Sequence, residues 1–289
     1  MSLKKFAFVL VALFLVACGD DESGEFLTRP KADASDISSS SSDRSSSSSA
    51  GSSSSSSAVS SSSVSAEYVE PCRGEGYDDC EYDTLIDERD GQSYKTVKIG
   101  KMWWMAENLN FAYLQPTEKE DSSSFCYDNI LSNCERYGRL YLWSAAMDSA
   151  ALYSDDGVGC GDRHLCEPAS TVQGVCPRGW HVPSRTDFVR LYETVGGAKT
   201  SMMTVDDWEK CGAQCTDSYG FSVLPAGYID DGYEELGFNA LFWSSTPLDS
   251  ASQTHSAYYL YVNFYMGFGS SDEDDADHAY SVRCMKDED

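Results

Sequence analysis

Apolar and polar positions divide the chain into three regimes. Phe6 to Val16 is an unbroken apolar run of eleven residues behind Lys4 and Lys5. That is too short to span a bilayer as a permanent helix, and it suits the core of a signal peptide. From Ile37 to Ser65 nearly every position is Ser. Such a segment has too little apolar surface to offset the entropy of ordering, so its composition predicts a disordered tether. Regular alternation begins only in the third regime, beyond about residue 67, and all six Trp lie after residue 100. About 215 foldable residues remain, enough for a real core.

Within that third regime the periods can be read element by element. Thr84–Asp87 and Tyr94–Ile99 read as strands joined through Asp90-Gly91, a strong hairpin signal. Gly100-Lys101 fits a second tight turn, and Met102–Met105 returns as a third strand. Ser144 is placed to cap a helix running through Ala145, Ala146 and Met147 to Leu152. Ser184 caps the next helix, with Asp187 three places on. There Phe188, Leu191, Tyr192 and Val195 fall at i, i+3, i+4 and i+7 on one face, and Gly196-Gly197 ends the helix. Beyond residue 218 the candidates are strands: Phe221–Leu224, Leu241–Ser244, Tyr258–Phe264 and Tyr280–Cys284. Two helices among short antiparallel strands predict an α+β domain.

Composition sharpens this division. The 289 residues carry 47 acidic against 21 basic side chains, a net charge of −26. Loss of Lys4 and Lys5 with a signal peptide would make the mature chain more negative. No basic patch is present, so nucleic acid is not a predicted partner. Leu15-Val16-Ala17-Cys18 matches the bacterial lipobox, in which Cys becomes the acylated amino terminus. Several acyl chains, palmitate among them, anchor far more firmly than one. Gly19 rather than Asp follows Cys18, which points to the outer membrane, at its periplasmic or cell-surface face. Roughly 45 linker residues give an end-to-end reach of about 35–40 Å. The expected organisation is a signal peptide (1–17), an acylated Cys with Ser-rich linker (18–66), a short disulfide-bearing lead-in (67–82) and the folded domain (83–289).

Eleven Cys minus Cys18 leave ten, an even number that argues for five disulfides in an oxidising compartment. Zinc is disfavoured because the one short spacing, Cys211 to Cys215, has no second pair. Spacing suggests the local pairs Cys72–Cys80, Cys126–Cys134, Cys160–Cys166 and Cys211–Cys215, which leaves Cys176 with Cys284. The last closes a loop of over a hundred residues, worth about 4–5 kcal/mol in the chain-entropy model.

Seven blocks then occur in order: Tyr94-Lys-Thr-Val-Lys-Ile-Gly100, Trp104-Met-Ala-Glu-Asn-Leu-Asn110, Tyr137-Gly-Arg-Leu-Tyr141, Cys176-Pro-Arg-Gly-Trp-His-Val-Pro183, Gly220-Phe-Ser-Val-Leu-Pro-Ala-Gly227, Phe242-Trp-Ser-Ser-Thr246 and Ser281-Val-Arg-Cys284. Together, from about residue 83 to 287, they resemble the Fibrobacter succinogenes major paralogous domain, found mostly in bacterial surface lipoproteins. The resemblance implies a C-type-lectin-like fold, a fold also shared by formylglycine-generating enzymes. It implies no defined activity, and a fold alone does not fix one.

Candidate sites follow. Lectins of the implied fold bind calcium through carboxylate and carboxamide triplets. Here Trp243-Ser244-Ser245 offers hydroxyls instead, and Glu167-Pro168-Ala169 lacks the Asn, so that site is not expected. Asp272, Asp274, Asp275 and Asp277, with Glu273, form an acidic loop able to hold calcium, or else a solvated loop between strands. No other cofactor is predicted. On the strand from Tyr258, the even positions Tyr258, Leu260, Val262, Phe264 and Met266 form an apolar face. The odd positions Tyr259, Tyr261, Asn263 and Tyr265 form a row of rings and amide suited to stacking on sugars, or simply a covered sheet surface. His181 is read as a structural turn residue. No Gly-x-Ser-x-Gly elbow, phosphate loop or His-Glu-x-x-His motif occurs, and cysteines locked in disulfides cannot act as reactive thiols. The chain is therefore read as a non-catalytic envelope module that binds polysaccharide or another surface ligand. The alternative is a structural envelope or adhesin component with a protein partner, and an enzyme related to formylglycine-generating folds stands behind both.

Overall fold

The hairpins predicted from Asp90-Gly91 and Gly100-Lys101 open the folded region. The computed structural model describes residues 66–116, 122–161, 166–197, 199–230, 232–248, 256–263, 269–275 and 278–288. Cys18, Tyr265 and Asp277 lie outside them. A short lead-in hairpin, β1 (Arg73–Gly74) and β2 (Tyr77–Asp78), is closed by Cys72–Cys80. It is tied to the body of the domain, because the Cys72 and Arg73 amides donate to the Ser218 carbonyl and the Arg73 guanidinium reaches Asp217 at 2.8 Å.

The chain then forms β3 (Tyr82–Ile86), β4 (Ser93–Ile99), β5 (Met102–Met105), β6 (Ser124–Phe125), α1 (Leu131–Tyr137), β7 (Leu140–Leu142), α2 (Trp143–Ala146) and β8 (Trp180–His181). After these come α3 (Arg185–Thr194), β9 (Tyr228–Ile229), β10 (Tyr233–Glu234), β11 (Asn239–Pro247), β12 (Ser256–Asn263), β13 (Gly269–Asp275), β14 (Ala279–Ser281) and β15 (Met285–Lys286). One sheet runs β3-β4-β5-β15-β8. The other runs β10-β9-β14-β11-β12-β13, with β7 also on β14 and β6 on β7. The molecule is thus α+β, mostly strand with few short helices.

Among the described residues three buried clusters form; β11 and β12 separate the two large ones, and a small third gathers around Tyr127, Leu140 and Ala279. Leu241 and Trp243 face one cluster, with Tyr259 and Tyr261 packed against it. Ala240, Phe242, Leu260 and Val262 face the other, beneath Phe188 and Leu191 of α3. The period-2 alternation sends neighbours to opposite sides. The register agrees, with Phe242 opposite Leu260 and Trp243 opposite Tyr259.

Helix α3 begins where the capping signal predicts. Ser184 Oγ accepts from the Asp187 amide, and Asp187 accepts from the Ser184 amide, a complete capping box. The helix predicted from Ser144 to Leu152 is cut short: α2 is one turn, Trp143–Ala146. Buried Asp148 adopts φ 53 and accepts from the amides of Leu152, Tyr153 and Ser154, which gives the backbone a better local partner than the next helical turn. Phe221–Leu224 is not a strand but a loop, with Ser222 at φ 57 and a single bridge, Met203 to Val223. The expected acidic loop is also different, since Asp272, Asp274 and Asp275 lie in β13, paired with β12.

All five disulfides suggested by spacing are present: Cys72–Cys80, Cys126–Cys134, Cys160–Cys166, Cys176–Cys284 and Cys211–Cys215. Cys176–Cys284 bolts the segment before β8 to the one before β15, its partner strand. No helix among the described residues is long and apolar enough to cross a membrane.

Candidate functional site

Residues from several of the seven sequence blocks meet in the interior rather than at a cleft. Arg283 is fully buried. Its Nε donates to Asn108 Oδ1 at 2.8 Å, one terminal nitrogen donates to the Phe221 carbonyl, and the other donates to the Ser222 carbonyl at 2.7 Å. Its guanidinium lies 4.5 Å from the Phe221 ring centroid and 5.3 Å from that of Phe242. Burial pushes its pKa down to about 9, partly opposed by Asp217, so it remains charged at neutral pH. Asn108 also donates to the Tyr137 carbonyl and to Ser281 Oγ. Four blocks are thereby joined by one arginine and one amide.

The block Phe242-Trp-Ser-Ser-Thr246 is similarly structural. Trp243 Nε1 donates to the Tyr141 carbonyl, and its ring stacks on Tyr280 at 4.2 Å. Ser244 is buried and donates to the Tyr258 carbonyl at 2.8 Å, so its hydroxyl is occupied in β-sheet packing. Among the described residues no group of three or more His, Cys, Asp or Glu is placed to hold a metal ion.

The tyrosine row on β12 divides along its length. Tyr259 is held in an aromatic cluster, edge-on to Trp243 and Tyr280. Tyr261 and Asn263, further along, line a cavity of about 260 Å³ at the end of the sheet. Trp208, Lys210, Tyr228, Glu235, Gly237, Phe238 and Asn239 complete its wall. Backbone pairing fixes this arrangement. Asn239 starts β11 directly opposite Asn263, and Leu241 opposes Tyr261. The turn between β10 and β11 is closed by the Phe238 and Asn239 amides, both donating to the Glu235 carbonyl at 3.0 Å. Gly227, at φ +65, lies so close to the Glu234 carbonyl and the Tyr127 ring that a Cβ would collide with both. The Glu209 amide donates to the Gly237 carbonyl and brings the Trp208–Lys210 segment alongside.

A hydrogen-bonded row crosses the cavity wall: Asn263 Nδ2 donates to the Tyr261 hydroxyl at 2.7 Å, and that hydroxyl donates to Asn239 Oδ1 at 2.9 Å. Tyr228 donates to Glu234 at 3.0 Å. Burial holds the phenols of Tyr261 and Tyr228 above the usual tyrosine range, with Glu234 and Glu235 adding to the effect, so both stay neutral at physiological pH. Phe238 remains 38% exposed, a large apolar face at the rim. Rings beside fixed amide and hydroxyl groups can stack on the apolar face of a sugar while exchanging hydrogen bonds with its edge.

Of these lining residues, Tyr261 and Asn263 are legible in the strand alternation. Trp208, Tyr228, Phe238 and Asn239 are not, because only the strand register and the turn bring them together. The Gly in Glu235-Leu-Gly-Phe238 is the sole local hint of that turn.

A second cleft of about 330 Å³ surrounds His181. His181 Nδ1 contacts Asp287 at 2.7 Å, and Ser184, Arg190 and Ser245 share the lining. No hydrogen bond joins Ser245 to His181 among the described residues. The His181–Asp287 pair instead links β8 to the chain just after β15.

The family model described as the Fibrobacter succinogenes major domain matches residues 97–286. No curated protein and no solved structure matches the chain.

Proposed function

For a chain that belongs to the Fibrobacter succinogenes major domain family, we propose a non-catalytic role: an extracytoplasmic module that binds polysaccharide in the cavity between Tyr261 and Phe238. One observation carries this reading. The Asn263–Tyr261–Asn239 row sets amide and hydroxyl groups in fixed order beside the Tyr228, Trp208 and Phe238 rings. Sugars present the matching surface, an apolar ring face bordered by hydroxyls. The cavity's size suits one or two sugar units, with the chain continuing past the open rim.

The compartment belongs to the same proposal. Cys18 closes a lipobox, and Lys4, Lys5 and the apolar run Phe6–Val16 precede it, so the protein is proposed to be lipid-anchored at the outer membrane, with the Ser-rich segment as its tether. Five disulfides fit an oxidising space. A C-type-lectin-like fold is proposed on the order of the seven blocks and the Cys176–Cys284 bolt between distant parts of the chain.

Binding to insoluble and immobilised polysaccharides tests the reading. Tyr261→Phe removes the central hydroxyl and is expected to weaken retention by about tenfold, the equivalent of one well-placed hydrogen bond. Phe238→Ala removes the rim ring and is expected to cost about 0.5–1.5 kcal/mol of binding. Phe238→Ala keeps the wild-type melting temperature to within a few degrees, since Phe238 is partly exposed; Tyr261→Phe keeps the ring but leaves Asn239 and Asn263 without their shared partner, so it melts several degrees lower and is assayed well below that transition. Wild-type affinity in both variants rejects this cavity as the site.

A further inference from the structure

Resting on that reading and deepening it, we infer that the cavity selects uncharged sugars over acidic ones, and that Glu235 is the residue that sets the preference. Glu235 lies at the turn closing the cavity, with φ 57, a left-handed backbone that a non-glycine residue adopts only where its surroundings hold it. Two amides converge on its carbonyl and hold it there. The side chain is exposed and lines the cavity. Its carboxylate raises the phenols of both Tyr228 and Tyr261, which places negative charge beside the hydroxyl row. Glu234, the next residue back, accepts from Tyr228.

Lys210 is the cation in the wall, and its ammonium sits 5.7 Å from the Phe238 ring centroid. Lys210 and Glu235 share the wall, Glu234 adds a second carboxylate on the Tyr228 hydroxyl beside it, and the chain carries a net charge of −26. A carboxylate only accepts hydrogen bonds. It pairs with sugar hydroxyls, which donate, and it repels a uronate or sulfate brought to the same place. The remaining polar groups of the row, Asn239, Asn263 and Tyr261, carry no charge to compensate an anion.

The test measures binding of the full chain to a neutral glucan and to a polyuronate, at low salt and at about 0.5 M salt, where screening reaches only a few Å. The expected wild-type preference for the glucan at low salt is about tenfold. Glu235→Gln is expected to narrow that ratio by about threefold or more through gained polyuronate binding, and Glu235→Lys to reverse it. At high salt wild type and Glu235→Gln converge. Because Glu235 is exposed, both variants are checked for unchanged melting. Equal or tighter binding of the polyuronate by wild type, or an unchanged ratio in both variants, overturns the selectivity and leaves the cavity reading in place. Retention of neither polymer removes both.

Discussion

At the scale of single residues, Asn108, Trp243 and Arg283 of the sequence blocks serve the interior, and the residues that line the cavity lie outside the blocks. Arg283 is the plainest case. It satisfies two carbonyls of the Phe221–Ser222 loop and Asn108 while stacked near two phenylalanines. Lysine cannot reproduce that fork, and methionine would leave the carbonyls and the amide unpaired. Arg283→Met is expected to cost about 3 kcal/mol or more, a fall in melting temperature of about 6–12 °C for a domain of this size. Thermal unfolding followed by circular dichroism, with disulfides intact, measures it. A loss under about 1 kcal/mol would mean that the loop finds its partners without the arginine.

This also explains what was legible from sequence. Cys spacing, hairpin glycines and the Ser184–Asp187 pair are local signals, and the structure bears them out. The Phe221–Leu224 strand and most of the Ser144–Leu152 helix do not form, because their backbone groups are claimed from elsewhere. Arg283 takes the carbonyls of Phe221 and Ser222, and Asp148 takes the amides of residues 152–154. Of the site, only the β12 alternation could be read, because the partners of Tyr261 come from strand register.

At the scale of elements, α3 is the one helix longer than two turns among the described residues, and its start depends on the capping box. Ser184→Ala is expected to destabilise the domain by about 1 kcal/mol. Asp187→Ala, which removes the reciprocal bond, is expected to act similarly, with the double variant less than additive because the two groups act as one unit. Chemical denaturation of the single and double variants reads this directly, and full additivity would contradict a shared cap. The β11–β12 pair sets both cores and the cavity. A substitution at Leu260 or Val262 is therefore expected to lower stability, whereas one at Phe238 changes binding.

At the scale of the whole molecule, distant segments are held by Cys176–Cys284 and by buried phenols. Replacing both Cys176 and Cys284 by Ser is expected to remove about 4–5 kcal/mol in the chain-entropy model, far more than opening Cys211–Cys215, which closes a loop of four. Alkaline pH tests the phenols. Burial raises Tyr94, Tyr113 and Tyr219 above their unfolded value near 10, and burial with Asp78 lifts Tyr82 to about 12. Because the folded state holds these protons more tightly, their stabilisation is complete below pH 10 and is lost as pH rises through the folded values. Stability is therefore expected to fall above pH 10, with tyrosinate absorbance rising together with unfolding. A gradual rise in tyrosinate without unfolding would show that the phenols are accessible.

The measurement that bears most directly on the central claim is hydroxyl-radical footprinting of the full chain with and without a bound neutral oligosaccharide. Protection is expected at Phe238, Tyr228 and Tyr261, with Tyr68, Leu131 and the His181 cleft unchanged. Protection at the His181 cleft or at Leu131, with Phe238 still fully reactive, would contradict it.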